Sequence, residues 1–209
     1  MVLEAALLLA ALAVALWLRP WRMLAGHSPL WTPLLATLVV LPWLWALPTL
    51  QRMPLQLQWS GACLAMLMLG WPLAMPVLCA VGALAWALSP GLSAEAALGL
   101  AVWHGIVPAT LAMLWGAALR RWLGTRVFVY TLGRCFFGTL LGLFAAGVLA
   151  RLAGHALPGV QTGPATIAGW LMAWGDAVIT GMLCAVFVAF KPEWLATWSD
   201  NLYLHKEND

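Results

Sequence analysis

Apolar positions in this chain do not alternate with polar ones; they run on in long blocks. Seven blocks can be drawn, at about 2–18, 29–50, 59–74, 76–90, 96–118, 127–150 and 164–190. Each approaches the roughly 20 apolar residues that a helix needs to cross a bilayer. The third and fourth are short and are joined by Gly70-Trp71-Pro72, with Pro76 just beyond. Residues 59–90 therefore also read as one kinked helix, since proline interrupts the backbone ladder without forbidding a span.

Charge placement decides between the two. With seven spans, Arg19, Arg22, Arg120, Arg121, Arg126, Lys191 and Lys206 all fall on one side, and only Arg52 and Arg151 on the other. That asymmetry satisfies the positive-inside rule with the N-terminus outside and the C-terminus cytoplasmic. Merging blocks three and four would set the Arg120–Arg126 cluster opposite the Arg19–Arg22 cluster. The expected fold is all-α and integral to the membrane: one bundle of about seven helices over residues 1–195, with a short polar tail, 196–209, at the cytoplasmic surface.

Composition agrees with the pattern. The 209 residues are 64% hydrophobic and only 8% charged, against roughly 25% charged in a soluble domain. A formal charge of +3 is too small to suggest nucleic acid. Val2–Leu18 is not a signal peptide by its charges, because Glu4 precedes the apolar core and Arg19 and Arg22 follow it. Cys63, Cys79, Cys135 and Cys184 lie inside apolar runs with no CxxC pair and read as small buried hydrophobes. Trp17, Trp21, Trp31, Trp43, Trp45, Trp59, Trp122, Trp194 and Trp198 fall near block ends, where interfacial anchoring accounts for them. Gly138-x-x-x-Gly142 and Ala146-x-x-x-Ala150 would let helices approach closely.

Three charged groups stand inside apolar runs: Glu4, Arg134 and Asp176. An acid at such depth costs roughly 2.5–3.5 kcal/mol on insertion scales and marks a pathway, a ligand or a buried partner. Asp176 lies roughly 21 Å from the end of its block and Arg134 roughly 12 Å into its own, at 1.5 Å per residue. An Arg134–Asp176 pair can bridge that offset; the competing reading has Arg134 snorkelling to the surface. His104, followed by Gly105 and Pro108, sits where a helix can open at membrane depth, and imidazole is a common metal ligand. The bland alternative is a histidine hydrogen-bonded to a neighbouring helix. His27, His155 and His205 read as solvated. Met66 and Met68 are two residues apart, so they face different sides of a helix and pack rather than bind copper. No P-loop, GxSxG or HExxH sequence occurs, so no enzymatic activity is expected of this chain.

Gly175-Asp176-Ala177-Val178-Ile179-Thr180-Gly181 followed by Lys191-Pro192-Glu193-Trp194-Leu195 resembles the last span and exit of the CbiM/NikM family. These are the membrane components of energy-coupling-factor transporters for cobalt and nickel. Ser60-Gly61 through Gly70-Trp71-Pro72 is similar to a second block of that family, and Leu98-Gly99 through Pro108 to a third. The resemblance covers roughly residues 50–195 and implies seven helices and an outside N-terminus. It also implies a divalent transition metal as substrate, and separate ATPase and transmembrane coupling subunits in a bacterial inner membrane. The family's two metal-ligand histidines fall here on Val2 and Gln58. The expectation is a substrate-binding or permease subunit with His104, Gln58 and Asp176 as candidate site residues. The alternative is an assembly or structural membrane protein that keeps a transporter bundle.

Overall fold

The computed structural model describes residues 1–50, 59–155 and 162–203. Every regular element among them is helical. Five helical stretches are long and apolar enough to cross a bilayer: Trp31–Pro48, Trp71–Leu88, Ala94–Leu123, Val129–Leu152 and Thr166–Phe190. The protein is thus a membrane protein whose helices meet lipid, as the exposed Leu9, Val39, Ile167, Leu171 and Met182 show.

The chain begins with α1 (Val2–Trp17) and α2 (Trp31–Leu50), joined by a short 3-10 turn, Pro20–Leu24. Next come α3 (Ala62–Leu69) and α4 (Trp71–Leu88). A long helix follows, made of α5 (Ala94–Leu100), a π-helical stretch Ala101–Ile106 and α6 (Val107–Leu123). The next helix opens with a second π-helical stretch, Val129–Phe137, and continues as α7 (Gly138–Leu152). Then come α8 (Thr162–Phe190), a 3-10 turn Pro192–Trp194 and the short α9 (Asp200–Tyr203).

The block expected as a third span, 59–74, is not one. Its helix, α3, has eight residues, roughly 12 Å at 1.5 Å per residue, less than half of a bilayer's hydrocarbon thickness. All eight are buried. Sharp ends come from Gly61 (φ 62°) and Gly70 (φ 75°), both in the left-handed region that glycine adopts without steric cost. The break between α3 and α4 therefore falls at Gly70; Pro72 sits in the first turn of α4 and Pro76 within it. Short helices are tolerated at membrane depth only when protein rather than lipid surrounds them, and α3 meets that condition.

Two sets of contacts mark the ends of the bundle. Glu4 in α1 meets Trp103 and His155. At the opposite end, Gly70 lies against Met23 and Ala196, and Tyr130 reaches Thr197. The main core is built around α3 and α4, with Trp45, Met66, Leu67, Met75, Leu78 and Val81 almost wholly enclosed. Helices α6 and α7 approach closely at Gly142, where an added Cβ would come within 2.9 Å of the Pro108 carbonyl and 3.2 Å of the Ala112 amide.

Two tryptophans depart from the interfacial expectation. Trp45 and Trp198 are buried, because each indole N–H has an internal acceptor, the Ser60 carbonyl and Asp200 respectively. Trp17, Trp21, Trp31, Trp43 and Trp122 are exposed. The exit segment also differs from a surface-lying tail as far as Tyr203. Leu195, Trp198 and Tyr203 are buried, and the Trp198 and Tyr203 rings stack at 4.6 Å beside Tyr130.

Candidate functional site

Ser60 and Gly61 lead into the N-terminus of α3, and Asp176 on α8 faces them. The Ser60 amide donates to Asp176 Oδ2 at 3.0 Å, and the Gly61 amide to Oδ1 at 3.5 Å. A helix N-terminus exposes unpaired N–H groups and the positive end of the helix dipole. A carboxylate placed there offsets both, and that is how Asp176 is accommodated while 5% exposed. The buried acid has a partner, but it is backbone.

The expected Arg134–Asp176 pair does not form. Asp176 accepts from the Ser60 and Gly61 amides, while the Arg134 guanidinium carbon lies 5.8 Å from the centre of the Tyr130 ring. The Arg134 side chain packs across Gly116, and its Nε is buried without a hydrogen-bond partner. A glycine at 116 leaves the groove that this stem fills.

His104 occupies the π-helical stretch Ala101–Ile106. Pro108, four residues on, has no N–H to give to the His104 carbonyl. That carbonyl is instead taken by the Ser60 hydroxyl, which also accepts from the Ala62 amide at 3.2 Å. The Ser60 carbonyl accepts from the Trp45 indole at 2.9 Å, and the Trp45 and His104 rings meet edge to face at 6.2 Å. Ser60 thus ties together α2, the α5–α6 helix, α3 and α8. The sequence marks the Ser60-Gly61 block but not this role for Ser60, because the role is carried by short-range backbone geometry.

Trp45, His104 and Asp176 share the wall of a cavity of about 690 Å³. Glu95, Arg151 and His155 line the same cavity near the helix ends where α1, α5 and α7 meet. The rest of the wall is mainly apolar, with Trp103, Leu143, Phe144 and Met172. Gly99, Gly147 and Gly169 also line it; a Cβ at Gly147 would meet nothing within 4 Å.

His155 is partly solvated, with 38% of its side chain exposed, and is also engaged within the protein. Its Nε2 lies 3.0 Å from Glu4 Oε1, its ring is tilted against Trp103 at 5.8 Å, and its Nδ1 is buried without a partner. Glu4, 2% exposed, also accepts from the Trp103 indole at 3.4 Å and pairs with the Met1 amino group. His27 is exposed. Gln58 and His205 lie outside the described residues. Of the three candidate site residues, His104 and Asp176 are therefore brought to one cavity, linked through Ser60. Val2 is exposed.

The opposite end of α3 is held by the segment after α8. The amide of Ala196 donates to the Met68 carbonyl at 2.9 Å, and that of Thr197 to the Leu67 carbonyl at 3.3 Å. The Thr197 hydroxyl adds a second bond to Leu67 at 2.7 Å and meets the Tyr130 hydroxyl at 2.8 Å. Carbonyls at a helix C-terminus otherwise lack partners. No family model matches the chain, and no curated protein or solved structure matches it.

Proposed function

We propose that the chain is the membrane-embedded substrate-binding or permease subunit of an energy-coupling-factor type transporter. The observation that carries this reading is the half-helix α3, whose N-terminus meets Asp176 at the wall of a cavity. Interrupted helices ending near mid-membrane are a recurrent way for transporters to build a substrate site. With no nucleotide-binding motif in the sequence, the subunit would draw its energy from separate ATPase and coupling subunits.

The reading includes an orientation. Arg19, Arg22, Arg120, Arg121, Arg126 and Lys191 would face the cytoplasm, and the Glu4–His155 end the outside. Six helices and the half-helix α3 then make up the seven segments. Cobalt or nickel as substrate comes from the CbiM/NikM resemblance alone, and His104 and Asp176 are the donors this chain would offer in a bacterial inner membrane.

A second reading, a membrane assembly or structural protein, is favoured by one observation: both Asp176 oxygens are already engaged by α3. Purification in mild detergent from its own membrane, paired with cobalt and nickel uptake by cells lacking the gene, separates the two. A transporter subunit co-purifies with an ATPase carrying Walker motifs, and its loss lowers uptake. Unchanged uptake with no ATPase present sinks the first reading.

A further inference from the structure

The cavity beside Asp176 is out of scale with a bare ion. A divalent cation is held by four to eight donor atoms at about 2.0–2.6 Å. Volumes of roughly 300–1,000 Å³ with mainly apolar walls and a few convergent polar groups suit drug-sized organic molecules. This cavity measures about 690 Å³ and has polar groups at both ends of an apolar wall. Asp176 sits at one end, held in place by the Ser60 and Gly61 amides, and brings an acidic group to the wall. Phe144, and Trp103 beside His155, supply aromatic surface to the wall. At the other end stand Glu95, Arg151 and His155, and the His155 Nδ1 is buried without a hydrogen-bond partner.

Glycines line the space. Gly99, Gly147 and Gly169 come from three separate helices and line one void. The Gly147 position opens into it with nothing within 4 Å of a Cβ. The Gly142 position, five residues earlier on α7, is closed by α6. One helix thus carries a glycine that closes a helix contact and another that leaves a cavity open.

We infer that this cavity binds an amphipathic organic solute, metal-free or as an organic metal chelate, with its ring or aliphatic body against Trp103 and Phe144. The polar part of the solute would lie toward Arg151 and His155. The inference deepens the transporter reading by naming the substrate class of its site, and rests on that reading for its biological use.

The test is native mass spectrometry of the full chain extracted in detergent from its own membranes, with elemental analysis of the same sample. Wild-type protein should carry an organic adduct of a few hundred daltons. Gly147→Trp should lose it while keeping the wild-type melting profile, and Gly147→Ser, which leaves most of the volume, should retain it. If Gly147→Trp does not fold, Gly169→Trp takes its place. Metal found in proportion to the adduct identifies a chelate; an adduct without metal identifies a metal-free solute, and either supports the inference. Adduct-free wild-type protein overturns it, as does an adduct identified as membrane phospholipid. So does titration with cobalt or nickel chloride that shows tight binding unaffected by Gly147→Trp. That last result would leave the transporter reading standing, whereas an adduct with no change in solute uptake on gene loss would sink the transporter reading alone.

Discussion

At the scale of single residues, Asp176 and Ser60 carry the most consequence. Removing the Asp176 carboxylate leaves the Ser60 and Gly61 amides without acceptors inside protein. Each buried unpaired group costs roughly 1–3 kcal/mol, so Asp176→Ala should lower stability in detergent by about 2–4 kcal/mol. Asp176→Asn keeps an acceptor oxygen and should lose less. A thermal or denaturant melt of the three proteins orders them, and equal melts would show that the α3 contact contributes nothing. Exchanging the charges in Arg134→Asp/Asp176→Arg should fail to recover what Asp176→Arg loses, because the two side chains have different partners. Recovery in the double variant would restore the ion-pair idea.

Among helices, the contrast between Gly142 and Gly147 is the sharpest check on packing. Gly142→Ala drives a methyl group against α6 backbone, which cannot yield as a side chain can, and should destabilise by about 1–3 kcal/mol. Gly147→Ala meets open space and should instead stabilise by about 0.5–1 kcal/mol, the usual helix preference of alanine over glycine. Opposite signs on neighbouring turns, read by the same melt, are the expected outcome. The close approach at Gly142 was legible in sequence as small residues at four-residue spacing. The open space at Gly147 was not, since a glycine facing a void and one facing a helix look alike in a string of letters.

The element that sequence pattern misplaced is α3. Hydropathy averages over residues 59–74 and cannot tell a span exposed to lipid from an eight-residue helix enclosed by protein, because both are uniformly apolar. The long blocks were legible for the converse reason: length and apolarity alone define a span. The burial of an acid at 176 was legible too. Its partner was not, because a backbone amide is present at every residue and carries no signature of its own. His104 was identified through its neighbour Pro108, whose missing N–H does free a carbonyl for Ser60.

For the whole molecule, both ends of α3 are attached to one region of chain: Asp176 at its start, and Ala196 with Thr197 at its finish. Thr197→Val removes the hydroxyl bonds to Leu67 and Tyr130 and should cost about 0.5–1.5 kcal/mol. Hydrogen exchange should quicken at the amides of α3 in that variant, and in Asp176→Ala as well, while the far turns of α7 keep their protection. Uniform loss of protection across the bundle would mean that α3 has no separate stability.

That attachment also sets an order on biosynthesis. The residues of α3 leave the ribosome more than a hundred residues before Asp176 and Thr197 do, the partners being separated by 116 and 130 positions. Until then its two termini have no acceptor from α8 or donor from the segment after it, and contacts this distant in sequence form late. A nascent chain stalled before Asp176 should therefore leave the Ser60–Gly70 stretch open to cysteine labelling, and one stalled well past Thr197 should close it. The half-helix is made early and finished last, so every later helix is inserted beside a core element that is still waiting for its fastenings.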